Sequence, residues 1–133
     1  MTSSRDTYIH GGGTTLSGAA PLMADAVRYG DMLFLSGRAA VDPATGAIRG
    51  EDFETQATAV LDDVRAVLAA LGSDPGHVLR VECWLRERSD FGAWNRLFAA
   101  TFPEPRPART TLVADFPLAG LLIEVQVTAA VAR

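Results

Sequence analysis

The chain has 133 residues, 48 % hydrophobic and 21 % charged, with a formal net charge of −4 at pH 7. That length fits one globular domain that buries its apolar surface without disulfide or zinc staples, and the acidic balance disfavours a role that must neutralise phosphates. All 12 positive side chains are arginine, which excludes Schiff-base lysine chemistry.

Residues 1–20 are rich in Ser, Thr and Gly and read as a flexible N-terminal arm, with residues 21–133 forming a single domain. A hairpin follows, Ala26-Val-Arg-Tyr29 and Met32-Leu-Phe-Leu-Ser36 around a Gly30-Asp31 turn. Val41-Asp-Pro-Ala-Thr-Gly46 is a loop. Phe53, Ala57, Val60, Val64, Val67 and Leu71 recur at helical steps, predicting a helix with one buried face. Asp52 is its expected N-cap and Gly72 its C-terminal left-handed residue. Residues 77–86 alternate as a strand, with Leu79, Val81, Cys83 and Leu85 on the apolar side. Ser89 is placed to cap a second helix, 90–101, burying Phe91, Trp94, Leu97 and Phe98. Prolines 103, 105 and 107 end it. Two strands, 108–114 and 121–131, close a β-β-α-β-α-β-β order in an α+β domain.

The inventory narrows the chemistry. Cys83 is the one cysteine, so there is no internal disulfide and nothing points to an oxidising compartment. His10 and His77 are too few for a multi-histidine metal centre, and no metal is expected. No apolar run approaches the ~18 residues of a membrane span, and the N-terminus lacks a signal peptide's apolar stretch. The expectation is a cytoplasmic domain without membrane or nucleic-acid partners. His10-Gly-Gly-Gly13 lacks the accompanying nucleophile elbow of an esterase. Trp84 and Trp94 read as packing groups, and Cys83 as a buried, inert thiol.

Two charged residues stand out in the last strands. Ile123, Val125, Val127 and Ala129 make one apolar face, leaving Glu124, Gln126 and Thr128 on the other. A carboxylate there is either solvated or held in a subunit interface. Arg109 opens the preceding strand after Pro105-Arg-Pro-Ala108, with Thr111 on its face. A guanidinium fork suits a carboxylate through paired, charge-assisted hydrogen bonds.

In these residues the chain resembles the YjgF/YER057c/UK114 group, the Rid (reactive intermediate deaminase) family. The resemblance runs from about residue 20 to the C-terminus. It rests on Leu33-Phe-Leu-Ser-Gly37 before Asp42-Pro-Ala-Thr-Gly46, on Gln56, and on Asp90-Phe91 with Asn95. Its most specific part is Pro107-Ala-Arg-Thr110 with Ile123-Glu124-Val125 fifteen residues after the arginine. The resemblance implies a chorismate-mutase-like α+β fold, a mixed sheet packed on one face by two helices. It also implies a homotrimer with clefts between subunits. The implied activity is hydrolytic deamination of 2-imino acids and their enamine tautomers (2-aminoacrylate type, 2-iminopropanoate and 2-iminobutanoate) to 2-keto acid and ammonia, without cofactor or metal. Arg109 would grip the substrate carboxylate and Glu124 would act as general base. Ser36, Thr110 and Thr111 would line the cleft.

The chain departs from the family pattern twice. Pro21-Leu-Met-Ala-Asp-Ala-Val27 puts Met23 where active deaminases place a cleft tyrosine, and Thr111 stands where cysteine is frequent. A thioether cannot donate a phenol's hydrogen bond, so Met23 in the substrate site implies either a different, larger and more apolar substrate or a weak general deaminase activity. Two other readings compete: a non-catalytic module that holds a small carboxylate on Arg109, and an endoribonuclease. The net charge and the lack of a histidine acid–base pair weigh against the latter.

Overall fold

Alternation of apolar and polar residues sets the strands, and the computed structural model describes the chain over residues 5–8 and 22–132. The strands are β1 (Arg5–Tyr8), β2 (Ala26–Tyr29), β3 (Met32–Leu35), β4 (Arg38–Ala39), β5 (Val78–Leu85), β6 (Ala108–Val113) and β7 (Ile123–Ala130). The helices are α1 (Phe53–Ala70) and α2 (Phe91–Thr101). Strand order is β1-β2-β3-β7-β5-β6, with β4 also paired to β7. β5 and β6 run parallel, whereas β7 is antiparallel to β3, β4 and β5. This is the mixed sheet with two helices that the sequence predicts, extended by the short strands β1 and β4.

The hairpin turns at Gly30, whose φ of 61° needs a residue without Cβ. Asp52 caps α1, its carboxylate accepting the Thr55 N–H at 2.7 Å, and Gly72 takes φ 75° just past the helix end. α1 buries Phe53, Ala57, Val60, Leu61, Val64, Val67 and Leu68. These meet Leu33, Leu35, Val81, Cys83, Leu85 and the Ile123, Val125, Val127, Ala129 row of β7 in one core, closed by Trp94, Phe98 and Phe102. Burying this face from water is the main source of stability. The other face of the sheet carries Val27, Phe34, Glu82, Trp84, Glu124, Gln126 and Thr128, none of them buried.

Four expectations need correction. Residues 5–8 are not part of a loose arm: they pair with β2 from Arg5↔Tyr29 to Tyr8↔Ala26, and Tyr8 packs against the core. The rest of the 1–20 segment, including His10-Gly-Gly-Gly13, lies outside the described residues, as does Pro21. Leu79 is 47 % exposed, because the β5–β7 register shifts between Val78 and Arg80 and Val78 takes the buried place. Phe91 is 45 % exposed at the first turn of α2. Ser89 does not cap that helix; a single 3-10 turn, Arg88–Asp90, leads into it. Among the described residues no helix is long and apolar enough to cross a membrane.

Candidate functional site

The carboxylate half of the site is built on β7 and the segment after β3. Glu124 projects from the helix-free face of β7, opposite Ala39 of β4 and Trp84 of β5. Its side chain lies across Gly37. A Cβ built on Gly37 would stand 2.4 Å from Glu124 Oε2 and 3.1 Å from Cδ. Glycine at 37 therefore makes the space in which the carboxylate rests. Arg38, next in sequence, forms ion pairs with Asp25 and, at 3.8 Å, with Asp63 on α1, which also pairs with Arg49. The network clamps the Gly37–Arg38 turn between the hairpin and α1. Ser36 donates its hydroxyl to the Ala24 carbonyl at 2.6 Å and its N–H to the Asp25 carbonyl at 3.0 Å. Those bonds hold the segment that carries Met23, whose side chain is exposed.

A second brace fixes where β7 begins. Gln56, fully buried on α1, donates to the carbonyls of Gly50 (3.1 Å) and Gly120 (2.8 Å) and accepts the Leu122 N–H at 2.9 Å. Glu124 follows two residues later. Gln56 thus contributes position rather than chemistry.

The cationic half is built on β6 and α2. In the parallel β5–β6 register Arg109 sits beside Val81 and Thr111 beside Cys83, so both project toward the helix side of the sheet. There Arg109 lies over two rings of α2, 4.8 Å from the Phe98 centroid and 5.7 Å from that of Phe91. Aromatic faces attract a guanidinium and leave its N–H edge available. Phe98 is itself wedged against Trp94 and Phe102, so the platform is rigid. Asn95 falls between Phe91 and Phe98 on the same helical stripe. The Asn95 Oδ1 and Thr111 Oγ1 atoms are buried without a hydrogen-bond partner, a state costly enough to suggest that something else satisfies them. Thr111 also lines a cavity of about 220 Å³ with Leu85, Arg88, Phe91, Leu112 and Val113.

The six residues singled out from the sequence therefore separate. Arg109 and Thr111 come together on the helix side of the sheet edge. Glu124 stands on the opposite face, with Ser36 and Met23 on the segment that frames it. Thr110 alternates away from Arg109 onto the face of Glu82 and Gln126, and is exposed. Sequence reasoning missed the aromatic platform, since Phe91 and Phe98 at seven-residue spacing read as core. It treated Gly37 only as part of a motif, although a glycine directly after an apolar strand signals close approach by another group. Cys83 is inert as expected: burial pushes its thiol pKa up to about 12, against the lowering influence of Arg109. His77 is bonded to Asp74 in a surface turn at 2.9 Å, and that bond holds the Asp74 carboxyl below its ordinary range.

Comparison with known proteins places this arrangement in a family. Residues 13–131 match the model of the family described as Endoribonuclease L-PSP. A RutC family protein of Pyrococcus horikoshii is 32 % identical over 106 residues, 80 % of this chain and 84 % of the relative. Reactive Intermediate Deaminase A, chloroplastic, of Arabidopsis thaliana is 35 % identical over 71 % of this chain and 51 % of its own length. The crystal structure of RidA from an Antarctic Psychrobacter superposes with a TM-score of 0.79 at 29 % identity, covering 95 % of this chain and all of that one. A YjgF family member from Neisseria meningitidis gives 0.82 at 25 % identity, covering 100 % of this chain and 99 % of that one. The fold is that family's chorismate-mutase-like α+β fold, and the chain belongs to the Endoribonuclease L-PSP family, the YjgF/RutC/Rid group.

Proposed function

We propose that this protein is a hydrolytic deaminase of 2-imino acids that works in clefts between copies of itself, assembled as a homotrimer. The observation that carries the reading is the separation of its two charged groups. Arg109 and Glu124 lie on opposite faces of one sheet, so a single ligand meets both only where two copies abut. The helix-free face of the sheet supplies a surface for that contact, and the resemblance to a named reactive intermediate deaminase supplies the chemistry.

The reaction needs little machinery. The substrate carboxylate forms paired hydrogen bonds with Arg109, which is held on its aromatic platform, and Thr111 and Asn95 supply further polar contacts. Glu124 of the adjoining copy removes a proton from a water molecule as its oxygen bonds to C2 of the imine and the C=N electron pair moves onto nitrogen. Glu124 returns this proton to nitrogen, giving the neutral carbinolamine; it then takes the carbinolamine's hydroxyl proton and delivers it to nitrogen as the C=O bond forms and the C–N bond breaks, so that ammonia leaves and the 2-keto acid remains. An imine is already electrophilic, so orientation and one base account for the acceleration. Cofactor and metal have no part in this scheme.

The test is turnover of 2-imino acids generated in situ by an amino-acid oxidase, with semicarbazide competing for them. Arg109→Ala and Glu124→Gln should each lower kcat/KM by about 10²–10³-fold, the range of general acid–base and positioning effects. Glu124→Gln should still bind a carboxylate. An equal mixture of the two variants, unfolded and reassembled together, should regain about a quarter of wild-type activity, because half the arginine sites meet half the intact carboxylates. No recovery in the mixture would place both groups in one copy and overturn the interface site. Full activity of Glu124→Gln would remove it as base, whereas no turnover by the wild-type protein with carboxylate binding retained would leave the alternative of a carboxylate-binding module.

A further inference from the structure

We infer that Arg88 makes this site selective for 2-imino acids whose side chain ends in a second anion, an inference that rests on the deaminase reading above. Several guanidiniums around α2 and β6 are spent. Arg86 pairs with Asp115 at 3.4 Å and Arg96 with Glu54 at 3.2 Å. Arg106 donates to the carbonyls of Ala99 and Phe102. Among the described residues in this region, Arg80, Arg88 and Arg109 have neither a carboxylate nor a carbonyl acceptor, and of these three Arg88 alone lines the cavity.

One cavity lined by Arg88 adjoins the Arg109 site. Arg88 lines it together with Leu85, Thr111, Leu112, Val113 and Phe91, and the Phe91 ring is also a floor of the Arg109 site. With the α-carboxylate on Arg109, a side chain directed past Thr111 enters this cavity. Apolar walls take its methylene groups, and Arg88 in the lining meets its far end. Low-dielectric walls strengthen an ion pair relative to open water. The same cation repels a side chain ending in an ammonium or guanidinium group. Arg88 stands on the 3-10 turn before α2, in the stretch Arg86-Glu87-Arg88 that reads from sequence as solvated charge. Its neighbours Glu87 and Asp90 are acidic, yet neither forms an ion pair with it. Its place in the lining of the cavity is what separates Arg88 from the other charges of this stretch.

The experiment uses the full chain and imines generated from glutamate and from norvaline, an unbranched neutral analogue of the same chain length. The glutamate-derived imine should show kcat/KM about tenfold higher, chiefly through KM, the strength of one partly desolvated charge-assisted contact. Arg88→Leu should bring the ratio of the two to about one, and Arg88→Lys should keep most of it. A wild-type ratio near one, or a ratio that Arg88→Leu does not move, overturns the inference while the deaminase reading stands. A changed assembly size with an unchanged ratio in Arg88→Leu also overturns it, assigning Arg88 to a contact between copies. If no imine is hydrolysed, the deaminase reading fails. Calorimetric binding of glutarate against butyrate then decides: a glutarate preference lost in Arg88→Leu supports the two-anion site, and equal binding sinks it.

Discussion

The two halves of the candidate site hold their charges by different physics. Arg109 rests on the core ring of Phe98 beside the exposed ring of Phe91, so its position is inherited from side-chain packing. Glu124 rests against a glycine, and the surrounding backbone is fixed by hydrogen bonds and ion pairs. Packing holds a group over a surface and tolerates small changes of shape, because apolar side chains readjust at modest cost. A polar framework is less forgiving, since each bond removed strands a buried partner. The cationic half should therefore degrade gradually under mutation and the carboxylate half abruptly.

The largest contrast is expected at Gln56. Gln56→Leu fills the same volume but strands two carbonyls and one N–H, and should lower stability by about 3 kcal/mol in urea unfolding. A loss below about 1 kcal/mol would mean that water replaces the amide and that the framework is softer than drawn. Next is Gly37→Ala. Its new Cβ requires the Glu124 carboxylate to move, so kcat should fall about tenfold with little change in Tm. Unchanged turnover would show that the carboxylate works from another position. On the other side, Phe98→Leu removes the ring under Arg109 and leaves an apolar filler. KM should rise about threefold, with a stability loss near 1 kcal/mol. A hundredfold loss would erase the proposed difference between the halves.

The smallest effect is a pH dependence remote from both. The Thr55 N–H bonded to Asp52 holds that carboxyl below its ordinary pKa. A lowered folded-state value means that its contribution is present above the unfolded pKa and disappears as pH falls through the folded one. Asp52→Asn retains a capping oxygen and should flatten the acid side of the stability curve slightly, below about pH 4.

The sequence made some of this architecture readable and hid the rest for identifiable reasons. β7 alternates cleanly because one face is core and the other is not, so the placement of Glu124 follows from pattern alone. α1 declares itself by period and caps. The pairing of Arg109 with Thr111 on one face is likewise a matter of counting by two. Which face that is depends on the β5–β6 register, and β6, an edge strand with mostly exposed residues, carries no alternation to reveal it. The register shift in β5 hid the exposure of Leu79, because an irregularity of backbone leaves no mark in the hydrophobic pattern. Phe91 looked like core for want of the same information. Arg88 was lost in a charged run whose meaning depends on a cavity formed by β5, β6 and the turn before α2.

The position of β7 has a consequence for how the molecule comes into being. It is the last strand in chain order, yet it lies in the middle of the sheet and pairs with β3, β4 and β5. During synthesis the β1–β2–β3 hairpin array and the β5–β6 pair therefore emerge as two separate sheet fragments, each with an open edge. The contacts that unite them are long-range and close only after residue 130 has left the ribosome, which makes the joining step slow and exposes sticky edges beforehand. Glu124 is carried on that closing strand. The carboxylate half of the site is thus absent from every partly made chain, and activity itself reports completed folding.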